Sequence, residues 1–302
     1  MPSPSILNVA APDGVRLRVQ VYAAGSPTVA ASPGAAGSPA AGSLTTAGAP
    51  TVVLAHGWTL THASWLPVVD RLTGQGLRVV TWDQRGHGRS GALRGPASVR
   101  VLGDDLAAVL AVVAPEGPLV LGGHSMGGMT VMAYAGLHPE AFTSRVTGVV
   151  LVSTMAEPLD RPVPIRQRRA MGLIARLPRI RAGRFVTLDG QRRLLFGPAA
   201  EDEHVALTRN QVAATTLPTM GRFYRAIQQH DEADALSHFD GIPTVVLVGE
   251  RDRLTPPRQS EHIAELAPHA DLRILPGLGH MLAYEATDEV VAAFETVARP
   301  AT

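Results

Sequence analysis

Gly123-His124-Ser125-Met126-Gly127-Gly128 follows a short apolar run, 118–122, and leads directly into a helical pattern, 126–137. A tight turn from strand to helix leaves no room for side chains beside the residue at its apex. A serine flanked by small residues in such a turn therefore has its hydroxyl projected above the end of a sheet. The pattern of small residues is common by itself, and its position between a strand and a helix makes it informative. The stretch predicts a buried strand, a sharp turn carrying a nucleophilic Ser125, and a helix starting at Met126. The plainer alternative is a glycine-rich turn in which Ser125 only caps the helix.

Outward from this turn, short apolar runs alternate with longer amphipathic stretches. Strands are predicted at 51–55, 78–82, 146–153, 244–248 and 271–275, and helices at 99–114, 258–266 and 288–299. Near-continuous Val and Leu runs indicate strands covered on both faces. The fold class is therefore α/β, a mostly parallel, doubly wound sheet with helices on either side. Ahead of it, residues 6–22 read as a β-hairpin around Pro12-Asp13-Gly14, in which glycine supplies the turn geometry. No internal repeat interrupts this order.

Three further segments supply what a serine nucleophile needs. Val248-Gly249-Glu250-Arg251-Asp252 closes the 244–248 strand, and catalytic groups of open α/β sheets gather beyond the carboxyl ends of strands. Asp252 is the predicted orienting acid and Glu250 the fallback. Gly277-Leu278-Gly279-His280 follows the last strand, where a histidine on a glycine-rich loop can reach both acid and serine as general base. His56-Gly57-Trp58 ends the first buried strand, and a bend at the glycine lets the Trp58 amide join the Met126 amide around an oxyanion. His56 is expected to be a structural hydrogen-bonding residue. The Trp58 side chain is a candidate wall of the acyl pocket, its competing role being core packing.

Two stretches depart from the alternation. Residues 24–50 hold only Ala, Gly, Ser, Pro and Thr apart from Val29 and Leu44, which predicts a flexible surface insertion with too little apolar area to offset ordering entropy. Between 154 and 240 the strand–helix rhythm stops for longer than an ordinary connection, and an inserted, mainly helical cap is expected over a core of 1–153 and 241–302. Its bulky apolar residues, Leu195 and Phe223 among them, are candidate substrate-binding positions, although some must simply hold the cap to the core. From Arg161 to Arg193 the segment carries ten arginines and one acidic residue, Asp189, whereas its later part is acidic. A solvated face or intra-cap salt bridges are the expected use of those charges, with an anionic-substrate or membrane-surface site as the alternative.

Composition removes several chemistries. There is no cysteine, hence no thiolate nucleophile, disulfide or cysteine-ligated metal, and no lysine for a Schiff base or a phosphate-binding loop. The formal net charge of +1 gives no overall attraction to nucleic acid. Nowhere do 18 apolar residues run together, and residues 1–8 lack the features of a secretory signal, so a soluble cytoplasmic protein without integral membrane association is expected. No cofactor and no metal are called for.

From Thr51 to Ala298, apart from the cap, the chain resembles the α/β-hydrolase superfamily of serine esterases and lipases. The segment Trp82-Asp83-Gln84-Arg85-Gly86-His87-Gly88-Arg89-Ser90 looks like that superfamily's turn after the fourth strand, which implies a scaffold role for Asp83 and His87. His56-Gly57-Trp58 is similar to cofactor-free haloperoxidase and esterase relatives, some of which perform perhydrolysis. The resemblance implies hydrolysis of an ester, lactone or thioester of a small apolar acyl substrate through an acyl-enzyme. Acyl transfer or perhydrolysis by the same triad is the nearest alternative, and a non-catalytic ligand-binding protein a more distant one.

Overall fold

A computed structural model describes residues 3–24, 48–159 and 164–298 of the chain. The stretch 24–50, read as a flexible insertion, lies outside the described residues except at its ends. The strands are β1 (Ser5–Ala10), β2 (Arg16–Tyr22), β3 (Thr51–Ala55), β4 (Arg78–Asp83), β5 (Leu119–His124), β6 (Val146–Val152), β7 (Thr244–Gly249) and β8 (Asp271–Leu275). They form one sheet in the order β1-β2-β4-β3-β5-β6-β7-β8. The strands from β4 through β8 run parallel, and the β1–β2 hairpin joins β4 antiparallel.

Alternation along the strands divides the core in two. Val53, Leu121, Val149 and Val246 pack with α2 (Val99–Val113), α3 (Met126–Leu137) and α4 (Pro139–Arg145). Val52, Leu54, Val120 and Val245 point the other way, toward α1 (Leu66–Gly74) and α11 (Thr287–Ala298). The central strands are buried along nearly their whole length because both faces are covered.

Between β6 and β7 the chain leaves the sheet and forms α5 (Ile165–Ile174), α6 (Leu188–Leu195), α7 (Asp202–Ala214) and α8 (Leu217–Ile227). Local signals set their starts. Thr187 and Thr216 each accept a hydrogen bond from the amide three residues on, and Pro218 stands in the first turn of α8, where its missing N–H costs nothing. A separate apolar cluster, including Val186, Leu195, Phe196 and Val212, joins these helices to Leu60, Met281 and Tyr284 of the sheet layer. The last turn before β7, Asp234–Phe239, lies within 154–240 but buries Leu236 and Phe239 in the main core, with Phe239 against Phe142 of α4 at 4.9 Å. Then follow α9 (Pro257–Leu266) and α10 (Leu282–Glu285), the latter directly after the loop that carries His280. Among the described residues no helix is long and apolar enough to cross a membrane.

Candidate active site

Ser125 sits alone between β5 and α3 with φ 54° and ψ −119°, a backbone conformation that side chains other than glycine rarely adopt. The turn is enforced from several sides. The Ser125 amide donates to Val152 O at 2.9 Å, and its carbonyl accepts from the Thr154 hydroxyl at 2.7 Å. A β-carbon on Gly127 would stand 2.0 Å from Ala55 O, and one on Gly123 would stand 2.3 Å from Gly127 O. The small residues around Ser125 are thus required because β3, β5 and the first turn of α3 touch backbone to backbone.

Beyond the carboxyl end of β7, Asp252 receives four hydrogen bonds. The amides of Leu254 and Thr255 donate to Oδ1 at 2.9 Å each, while the Thr255 hydroxyl and His280 Nδ1 reach Oδ2 at 2.9 and 2.7 Å. Burial alone would raise the pKa of this carboxyl, but His280 and the Thr255 groups together hold it below its ordinary value. The imidazole Nδ1–H therefore faces a fixed carboxylate, which leaves Nε2 as the free basic nitrogen. Glu250 has a different task, accepting the Gly277 amide at 2.9 Å at the start of the histidine loop.

The backbone around His280 is held as firmly as its ring. Its amide donates to Leu195 O at 2.7 Å, and its carbonyl lies 2.9 Å from His124 Nε2. Glu285 accepts from Gly279 and Met281 on either side of it, at 3.1 and 3.2 Å, and from Gly197 at 2.6 Å. Burial pushes the Glu285 pKa up, and the three amides act against that rise. Sequence reasoning passed over both Glu285 and His124. The acid five residues after the histidine was a visible signal, but its amide partners come from two segments far apart in sequence.

Ser125 and His280 open into one cavity of about 240 Å³. No hydrogen bond joins Ser125 Oγ to His280 among the described residues, and such bonds are commonly long before a substrate is bound. Trp58 and Leu195 line the cavity, as do Phe185, Leu194 and Met220 of the inserted segment. Val212, Leu254 and Met281 also contribute. Phe223 does not reach this cavity. Its ring is fully buried against His87, with centroids 5.3 Å apart, because α8 turns Met220 to the cavity and Phe223 to the core. The expectation that Phe223 contacts substrate is corrected accordingly.

His56 and His87 shape the loop opposite Ser125. Burial keeps them neutral, with pKa values lowered to about 4 and about 3. His56 Nδ1 lies 2.7 Å from Gly57 O, and its Nε2 accepts the Gln84 amide at 2.9 Å. His87 Nε2 accepts the Thr59 amide at 3.2 Å. Because a trans peptide is planar, pinning the Gly57 carbonyl turns the Trp58 N–H to the opposite side. The Met126 amide, first in α3, has no acceptor within its helix. Asp83, lowered to about 2 despite its burial by the His62 ring and by backbone amides, holds His62 and Arg89 beneath this loop. Among the described residues no group of three or more metal-ligating side chains is assembled.

Known proteins resemble this chain in sequence and in fold. The family profile described as serine aminopeptidase, S33, matches residues 48–287. A non-heme haloperoxidase of Rhodococcus erythropolis is 25% identical over 249 residues, covering 80% of this chain and 89% of the relative. A monoacylglycerol lipase of Mycolicibacterium smegmatis is 28% identical over 248 residues, covering 80% and 84% respectively. The solved structure of a thermophilic esterase from Thermogutta terrifontis superposes with a TM-score of 0.75 at 22% identity, covering 96% of this chain and 97% of that one, a likeness of fold. With the strained serine turn, the strand order and a family match across most of its length, the chain belongs to the serine aminopeptidase S33 family within the α/β-hydrolase superfamily of enzymes.

Proposed function

We propose that the protein is a serine hydrolase that cleaves a carboxylic ester of a small apolar molecule through an acyl-enzyme on Ser125. The observation that carries this reading is the 2.7 Å contact from His280 Nδ1 to Asp252, made at the wall of the cavity that holds the Ser125 turn. His280 Nε2 takes the hydroxyl proton as Ser125 Oγ attacks the ester carbonyl. The carbonyl oxygen becomes an oxyanion facing the Trp58 and Met126 amides, and Asp252 stabilises the imidazolium. Collapse expels the alcohol, which receives its proton from His280. Water then repeats the sequence on the acyl group, releasing the acid and the free serine.

An apolar substrate is supported by the aliphatic lining of the cavity and by the relatives, among them the monoacylglycerol lipase. In this reading helices α5–α8 act as a cap whose Leu195 and Met220 limit chain length. The test is a panel of p-nitrophenyl esters of graded chain length, assayed with an alcohol acceptor present and absent to separate hydrolysis from acyl transfer. Ser125→Ala and His280→Ala should each lower turnover by about 10⁴-fold, and the double variant should lose no more than either alone. Near wild-type turnover by folded Ser125→Ala overturns the proposal.

A further inference from the structure

The inserted segment exposes what a folded chain ordinarily hides. Helix α5 has no buried residue, and Ile165 and Leu173 on it are each 65% exposed. Farther along, Ile180 is 52% and Phe185 69% exposed, with Leu188 and Leu194 open as well. Between residues 165 and 181 the segment also exposes six arginines, Arg166, Arg168, Arg169, Arg176, Arg179 and Arg181. Among the described residues none of these six has a carboxylate partner, and Arg192 with Asp202 is the one ion pair between the basic and acidic halves of the insertion. The expected intra-cap salt bridges are therefore largely absent, and a solvated charged face does not account for the aliphatic side chains standing between the arginines.

This surface is firmly mounted and continuous with the catalytic opening. A β-carbon on Gly221 of α8 would lie 2.5 Å from Ala175 N, so the end of α5 sits backbone-close on α8. Phe185 and Leu194, exposed in this segment, also line the cavity that contains Ser125 and His280. Cationic side chains interleaved with aliphatic ones on a mounted ridge complement an anionic lipid surface. The guanidinium groups meet the headgroups while the Ile and Leu side chains enter the acyl boundary. A polyanion alone would leave the aliphatic groups uncovered, and an uncharged apolar partner would leave the arginines unpaired.

We infer that the ridge from Ile165 to Leu194 docks the protein peripherally on an anionic bilayer, setting the mouth of the catalytic cavity against the lipid. The attraction is regional, because the chain as a whole carries a formal net charge of only +1. Flotation of the full-length protein with phosphatidylglycerol-containing vesicles tests it, with phosphatidylcholine vesicles as comparison. Binding is read without turnover, so its failure and the failure of the proposed reaction are distinguishable.

The wild-type protein should partition at least about tenfold better onto the anionic vesicles, and added salt should reduce that preference. Arg166→Gln/Arg168→Gln/Arg169→Gln should remove the preference for anionic lipid, and Ile165→Ser/Leu173→Ser should weaken partitioning to both vesicle types. Both variants should keep the far-UV circular dichroism and short-chain ester turnover of the parent, since none of these residues lines the cavity. Absence of flotation with anionic vesicles overturns the inference, as does flotation of the variants equal to the parent. A self-association abolished by Ile165→Ser/Leu173→Ser, without vesicle binding, would assign the ridge to a second copy of the chain instead.

Discussion

At the scale of single residues, the structure separates side chains that face the cavity from those that hold them in place. Met220 and Phe223 lie three positions apart on α8 and meet different surroundings, one the cavity and the other His87. Leu195→Ala or Met220→Ala should shift the preference among acetyl, butyryl and octanoyl esters by about 1–3 kcal/mol in relative kcat/KM. Phe223→Ala should instead lower stability by about 3–5 kcal/mol and leave the ratios unchanged. Chain-length profiles and thermal melts of the three variants distinguish these outcomes. Unchanged ratios in both cavity variants would place specificity in the sheet layer around Trp58. The sequence could not make this distinction, because cavity-facing and core-facing positions of one apolar helix read alike. Asp252 and His280, by contrast, were legible, since strand ends and a glycine-rich loop leave few alternatives.

At the scale of elements, the turn after β4 is fixed by Arg85, which sits fully buried between α2 and the hairpin. Its guanidinium contacts Asp105 of α2 at 2.5 Å and Asp13 of the β1–β2 turn at 2.7 Å. Asp105→Ala would leave a buried cation short of its partner and should destabilise the fold by about 3–5 kcal/mol, read as the shift in a urea midpoint. A loss below about 1 kcal/mol would show that Asp13 and solvent satisfy the arginine unaided.

The strands themselves were plain in the sequence, with β3 and β8 matching their expected bounds and others differing by a residue or two. The central β3, β6 and β7 are near-continuous apolar runs, whereas β2 and β8 alternate apolar with charged or polar residues. Helices α1 and α4, of nine and seven residues, were missed because so short a stretch gives little helical periodicity to read. Nothing in the local pattern of the inserted segment showed which of its apolar residues would remain exposed. That depends on how α5 sits on α8.

On the scale of the whole molecule, folding removes several histidines from water in their neutral form. His56 and His230 are lowered to about 4, and His87 and His124 to about 3, all chiefly by burial. The unfolded chain protonates these groups near pH 6.5, so between that value and the folded values it binds more protons than the native state. Stability should therefore be greatest above about pH 6.5 and fall as the pH drops toward 4, by up to about 1.4 kcal/mol per pH unit for each histidine. Thermal midpoints should hold level from pH 8 to about pH 6.5 and decline from there to pH 5, whereas a profile flat throughout would mean that the buried rings titrate normally.

In the proposed reaction the sheet, the strained turn and the inserted helices serve one end, the formation of an acyl-enzyme on Ser125. Intact-mass spectrometry of protein quenched during turnover of a slowly deacylated p-nitrophenyl ester measures that directly. A population heavier by one acyl group, mapped to the Ser125 peptide and absent in Ser125→Ala, is expected; steady turnover of the ester with no acylated protein at any quench time, or acylation that persists in Ser125→Ala, would contradict the proposed chemistry.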